Sequence, residues 1–369
     1  MPKKRAAPII GSRNELHKLM EKTININLRS MEERGEYAEY AVKTNIIEAN
    51  CRIEDIPTKI FEYNVELKKT SDKFLYVMVI RREGESFVLY LDTFFSRFWK
   101  LYNIEESSII DRFIDQFTNN ILRIDSLWMP HQMLNELEKG FKNVGFSIRF
   151  KQEVLNEEEL SEEEISQLSL RLWSKGSKPS NEIVALLEKN GFPTTKTSTR
   201  LLDETSEGIK FLDEVYYDGK ITVSKGIDIE EHVQFVDRII DEYAKKMIMI
   251  ETERIYLEPK SNGLKVHGSP FELKFSRNQS IEKLAIKLTN STKPFRIWGV
   301  VHDKDENFLR IAGVDTHTGD KFDVDLMPEY GRIYLPKNAC GNLIFRLYTN
   351  IQHALDPGVI IYGENGRLF

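Results

Sequence analysis

Glu66-Leu-Lys68, within the stretch NVELKKTSDK, is the acid-x-lysine triplet that a metal-dependent nuclease strand carries. In that chemistry two carboxylates hold Mg²⁺ while the lysine steadies the attacking water. Asp55, in IEDIP, would supply the first acid, and residues 66 and 68 share a face of a strand. Two features oppose this reading. Only ten residues separate Asp55 from Glu66, and Pro57 crowds the first strand. The flanking pattern sets Phe61, Tyr63, Val65 and Leu67 against Glu62, Asn64, Glu66 and Lys68, the alternation of an ordinary half-solvated strand. The nuclease set Asp55, Glu66 and Lys68 therefore stands as the alternative in which the protein is an enzyme, with Mg²⁺ as its cofactor. No other cofactor or metal is expected.

A second constellation lies in the middle of the chain. Ser180 caps the helical run NEIVALLEKN, KNGFP makes a turn, and PTTKTSTRLLDE follows as a polar segment. An Asp218-Gly219 turn then closes a hairpin. This is the order of a winged helix: helix, turn, recognition helix, wing. Between Arg171 and Arg200 six basic residues face two acidic ones, in a chain whose formal charge is −6. Lys175, Lys178, Lys196 and Arg200 would take phosphates, with Lys220 and Lys225 on the wing. Lys196 and Arg200 lie four apart and would share a helix face, although a threonine-rich segment is a poor helix former.

Aspartates in the last third invite a metal reading and answer it weakly. Asp303, Asp305 and Asn307 open like a calcium loop, but Phe308 stands where such a loop needs glycine. Asp315, His317, Asp320, Asp323 and Asp325 fit a hairpin tip and a solvated strand edge. No glycine-rich phosphate cradle and no G-x-S-x-G elbow is present.

The elements that would position these residues read as follows. A helix covers roughly 12–35, and three strands (KIFEYNVELKK, FLYVMVI, FVLYLDT) make a meander. A helix is expected near Phe94, because Phe95, Phe98, Trp99 and Tyr102 are helically spaced, and another between Pro130 and Gly140. Seven glutamates between Glu153 and Glu164 mark a boundary. A long amphipathic helix follows Asp228. Beyond Pro259 eight short runs, from FELKF through KLAIKLT and LIFRLYT to GVIIYG, read as strands of a β-sandwich or small barrel.

The fold class is thus α+β in three modules: residues 1–152 a meander with helices, 153–258 a mainly helical region with a hairpin, and 259–369 a β-rich domain. At 369 residues, 41% hydrophobic and 30% charged, the composition is that of a globular protein. Cys51 and Cys340 support no disulfide framework, and MPKKRAAPII leads into no apolar run, so a cytoplasmic setting is expected, with no membrane partner. Three unlike modules without a linear catalytic motif fit a non-catalytic protein. Nucleic-acid binding or assembly through residues 171–225 leads, with a protein–protein adaptor docking through its C-terminal β domain as the alternative.

Overall fold

The computed structural model describes residues 7–34, 41–105, 107–151, 167–174, 176–192, 194–206, 208–226, 228–261, 263–290 and 293–369. The acidic run placed at a domain boundary, and Lys175, lie outside them. The described chain is mixed α+β, with seven α-helices and antiparallel ladders. It groups into two compact units, each made of two stretches: residues 1–127 with 200–240, and 128–199 with 241–369.

In chain order the elements begin with α1 (Arg13–Arg34), β1 (Lys43–Ala49), β2 (Lys59–Ile60), β3 (Tyr63–Lys69), β4 (Leu75–Arg82), β5 (Glu85–Asp92) and β6 (Phe98–Asn103). Next come α2 (Ser107–Asn120), β7 (Ile124–Ser126), α3 (His131–Glu138), β8 (Lys142–Lys151), β9 (Gln167–Trp173) and α4 (Ser177–Lys189). β10 (Lys196–Thr205) carries the chain back into the first unit, where β11 (Gly208–Tyr216) and β12 (Lys220–Gly226) form the hairpin. α5 (Ile229–Thr252) then leads to β13 (Tyr256–Lys260), β14 (Gly263–His267), β15 (Phe271–Lys274) and α6 (Ile281–Thr289). The chain closes with β16 (Ile297–Asp305), β17 (Phe308–Asp315), β18 (Lys321–Leu326), β19 (Tyr330–Tyr334), α7 (Asn342–Ala354), β20 (Ile360–Gly363) and β21 (Gly366–Arg367).

In the first unit the strands run in the order β2-β3-β4-β5-β6-β1-β12-β11, with β7 also on β1. Both faces of this sheet are buried. Met78 and Ile80 of β4 face Phe113 and Phe117 of α2, while Val77 and Val79 face Leu16, Met20 and Ile24 of α1. A strand between two cores must be apolar on both faces, which is why FLYVMVI shows no alternation. The same burial explains β6, expected as a helix. All six of its residues are buried, so the aromatic spacing reports two cores rather than one helical stripe.

Its buried charges are matched. Lys100 of β6 is 2% exposed and lies 2.6 Å from Asp237 and 3.3 Å from Asp92. Asp92 also receives both terminal nitrogens of Arg13, at 2.7 and 3.1 Å. Burial pushes the Asp92 carboxyl up, but Arg13 and Lys100 outweigh it and hold the group below the ordinary carboxylate range. This network fastens α1 and α5 to the sheet.

In the second unit a sheet of order β16-β17-β18-β19-β15-β20-β21 packs Leu273, Ile311 and Ile333 against Leu284 and Leu288 of α6 and Leu347 of α7. Two of the eight expected strands are these helices. In α7 twelve residues are buried, so no polar face marks its period. In α6 the buried set Ile281, Leu284, Ala285 and Leu288 is helical, but KLAIKLT leaves Ile281 out. An open sheet lined by helices replaces the expected sandwich or barrel.

Candidate functional site

The residues expected to take phosphates do not gather into one exposed patch among the described residues. Residues Lys196–Thr205 form strand β10 rather than a recognition helix, in keeping with their β-branched threonines. Lys196 is 4% exposed, and its Nζ lies 2.6 Å from Oε1 of Glu138, which also accepts the Thr199 hydroxyl at 2.6 Å. A buried ammonium needs such a partner. Arg200 is also buried. Lys220 pairs with Asp111 at 2.6 Å. Lys225 is half-buried on β12, and Lys178 is exposed on α4, 3.8 Å from Glu182.

The nuclease set is likewise held by arginines. Asp55 accepts from the backbone N–H of Arg52 at 3.0 Å and from its guanidinium at 3.2 Å. Glu66 accepts from Arg81 at 2.8 Å and lies 3.5 Å from Lys68. Hydrogen bonds from Arg52 and from Arg81 hold the two carboxyls below the ordinary range. Among the described residues Asp55 and Glu66 join no three-ligand cluster. The C-terminal aspartates are structural too: Asp303 and Asp305 end a β-hairpin strand, Asp315 receives the buried Arg346, and Asp325 receives Arg310.

One arrangement escaped sequence reasoning because its members are far apart in the chain. The Thr44 hydroxyl lies 2.8 Å from Nε2 of His232, whose Nδ1 lies 2.6 Å from Asp213. These are the distances of a hydroxyl–imidazole–carboxylate relay. All three residues are at most 1% exposed, so no substrate reaches the hydroxyl, and the trio serves to tie α5 to β1 and β11.

The exposed chemistry lies on the second unit. On the sheet face opposite α6 and α7, antiparallel register places Asp303, Arg310, Asp325, Arg332, Glu272 and Tyr362 in one row across six strands. Arg310 grips Asp325 through two hydrogen bonds of 2.6 and 2.7 Å, Tyr334 donates to the same carboxylate at 2.9 Å, and Arg332 lies 3.2 Å from Glu272. Burial raises the Asp325 carboxyl, but Arg310 and Tyr334 bring it below its ordinary range. The row alternates in sign and carries no surplus of cations. Beside it stand Trp298 and Val300, 54% and 49% exposed.

The β13–β14 hairpin adjoins this face. Its root is bonded through Ile255 N–H to the Leu335 carbonyl at 2.7 Å and through Lys337 N–H to the Ile255 carbonyl at 3.0 Å. A hollow of about 560 Å³ between them is lined by Tyr256, Leu257, Arg310 and Tyr334. Cross-strand pairing sets Leu257 opposite Val266 and Pro259 opposite Leu264, so the hairpin has one apolar face. Leu257, Leu264 and Val266 are 58%, 66% and 63% exposed. The other face is polar, with Tyr256 stacked on His267 and Glu258 bridging His267 and Lys260. A two-stranded ribbon is marginal by itself, and one that shows its apolar face to water lacks the surface it should pack on.

A family model described as MJECL33-like protein matches residues 5–367, and the chain belongs to that family. Over 98% of its length it is 28% identical to a protein of Methanocaldococcus jannaschii described as uncharacterized protein MJECL33, of which 97% is covered. Neither description names a substrate or partner. Among the described residues no helix is long and apolar enough to cross a membrane.

Proposed function

We propose that this is a non-catalytic docking protein that binds a protein partner through its second unit. The observation that carries the reading is the β13–β14 hairpin, whose apolar side is exposed, among the described residues, beside an aromatic, charge-balanced sheet face. Arginine and aromatic residues dominate well-packed protein interfaces. A row of alternating charge suits a polypeptide of mixed charge better than a polyanion, which needs a surplus of lysine and arginine. The free thiols of Cys51 and Cys340 suit a reducing cytoplasm as the setting.

The test places a photo-crosslinking amino acid at Leu264 and, as a control, at the exposed Lys178. The expected result is one defined protein adduct from position 264, retained at high salt and lost when Val266→Lys is added. Equal labelling from both positions, or no adduct from 264, refutes the reading. Salt-sensitive retention on DNA or RNA would favour the nucleic-acid alternative instead.

A further inference from the structure

β9 (Gln167–Trp173) ends its sheet: β8 pairs with one side of it, and among the described residues no strand pairs with the other. Such an edge offers a ladder of backbone donors and acceptors to a further strand, and proteins ordinarily guard it. The other sheet ends are guarded. β2 and β21 are two residues long. β16 is broken by a bulge between Val301 and Asp303 and carries Asp303, Lys304 and Asp305. β13 contains Pro259, and β14 contains Lys265. β9 has none of these devices. Its seven residues pair with β8 in unbroken register, with no proline, glycine or lysine among them.

Leu168, Leu170 and Leu172 share one face of this strand. Opposite them on β8 stand Phe150, Ile148 and Phe146, which are 3%, 1% and 1% exposed, whereas the three leucines are only half-buried. The apolar layer therefore stops at β9 with one flank uncovered. Exposed apolar groups continue past the strand end, with Trp173 49% and Leu186 of α4 61% exposed.

The order of residues along the edge selects what covers it. A twofold interface must be self-complementary, so that if residue i meets j, then j meets i. Outward from Leu170, β9 has Ser169 and Arg171, then Leu168 and Leu172. Antiparallel pairing of two copies about Leu170 sets Leu170 against itself and Leu168 against Leu172 in both directions, a seam of six leucines. Arg171, whose guanidinium lies over the Trp173 ring at 4.4 Å, meets Ser169 of the second copy rather than another arginine. No like charges then stand directly opposite.

We propose that β9 pairs antiparallel with β9 of a second copy of this chain, so that the sheet continues through a twofold axis at Leu170. This pairing does not rest on the β13–β14 hairpin.

The test is sedimentation equilibrium of the full chain from micromolar to millimolar concentration, joined to oxidative crosslinking of cysteine substitutions. The unmodified chain should move toward twice the monomer mass as concentration rises. Its own thiols, Cys51 half-buried and Cys340 buried, set the crosslinking background. Leu170→Cys should form an intermolecular disulfide. Leu168→Cys alone and Leu172→Cys alone should not, and a mixture of those two should. Ser169→Arg, at an exposed position where the fold is checked by circular dichroism, faces Arg171 of the second copy and should weaken association at least tenfold. A monomer at every concentration, association that Ser169→Arg leaves unchanged, or self-linking of Leu168→Cys as fast as Leu170→Cys overturns the proposal.

Discussion

Acidification from pH 7 to pH 5 should destabilise the second unit through two histidines. His131 opens α3, with its Nδ1 accepting the Lys196 N–H at 3.2 Å and its Nε2 3.0 Å from the Asn135 amide. Burial first, then the charges of Lys196 and Arg367, push His131 down to about 4. Burial and then His131 push His353 down to about 3, against a backbone contact with Arg149. An unfolded histidine titrates near 6.5. The unfolded chain therefore takes up these protons first, so stability is full above about 6.5 and falls as pH drops, until the folded-state values are reached. At pH 5 the unfolded groups titrate about 1.5 units above ambient, which sets a ceiling of about 2 kcal/mol per histidine, or about 4 kcal/mol for the pair. Urea unfolding at the two pH values, followed by far-UV circular dichroism, measures the loss. The double substitution His131→Gln, His353→Gln should remove most of it. If the double variant loses as much stability as the unmodified protein, the assignment to these imidazoles is wrong.

Three further outcomes are expected. Lys196→Met leaves the half-buried Glu138 without its ammonium and should cost about 1–3 kcal/mol, measured by denaturant unfolding, with Glu138→Gln added to recover part of it. Gly219 has φ +86, and a Cβ there would lie 2.7 Å from the Ile46 carbonyl oxygen, so Gly219→Ala should lower stability by about 2 kcal/mol or more in the same assay. Glu66→Ala breaks exposed pairs with Arg81 and Lys68 and should change stability by less than about 1 kcal/mol, with no change in any Mg²⁺-dependent cleavage of nucleic acid.

Much of the local structure was legible in the chain. The β3–β5 meander announces itself through alternation and KTSDK and REGES turns, and the β11–β12 hairpin through Asp218-Gly219. α1, α3 and α5 carry caps or stripes, whereas α4 begins at Ser177 after Gly176, so Ser180, read as its cap, is a buried residue inside the helix. What failed to show were elements whose surroundings erase periodicity: β6 between two cores, and α7, which has almost no solvent face. Lysine at 196 and arginine at 200 read as a solvent-facing pair because sequence shows charge but not burial. The sites were less legible still. Asp111 of α2 meets Lys220 of β12 only in the folded chain, and the exposed side of the β13–β14 ribbon is defined by cross-strand register.

The splitting of the first unit between residues 1–127 and 200–240 has a consequence for biosynthesis. β12 covers one edge of β1 through the pairs Lys43–Thr222, Thr44–Ile221 and Asn45–Lys220, and Val223 and Ile229 complete the core beneath α1. A ribosome that has emitted only the first half of the chain thus exposes a naked ladder of amides and carbonyls along β1, together with an unfilled apolar seat. Closure must wait for the hairpin to emerge. A fragment cut at residue 152 would keep that open edge permanently and should self-associate rather than fold alone.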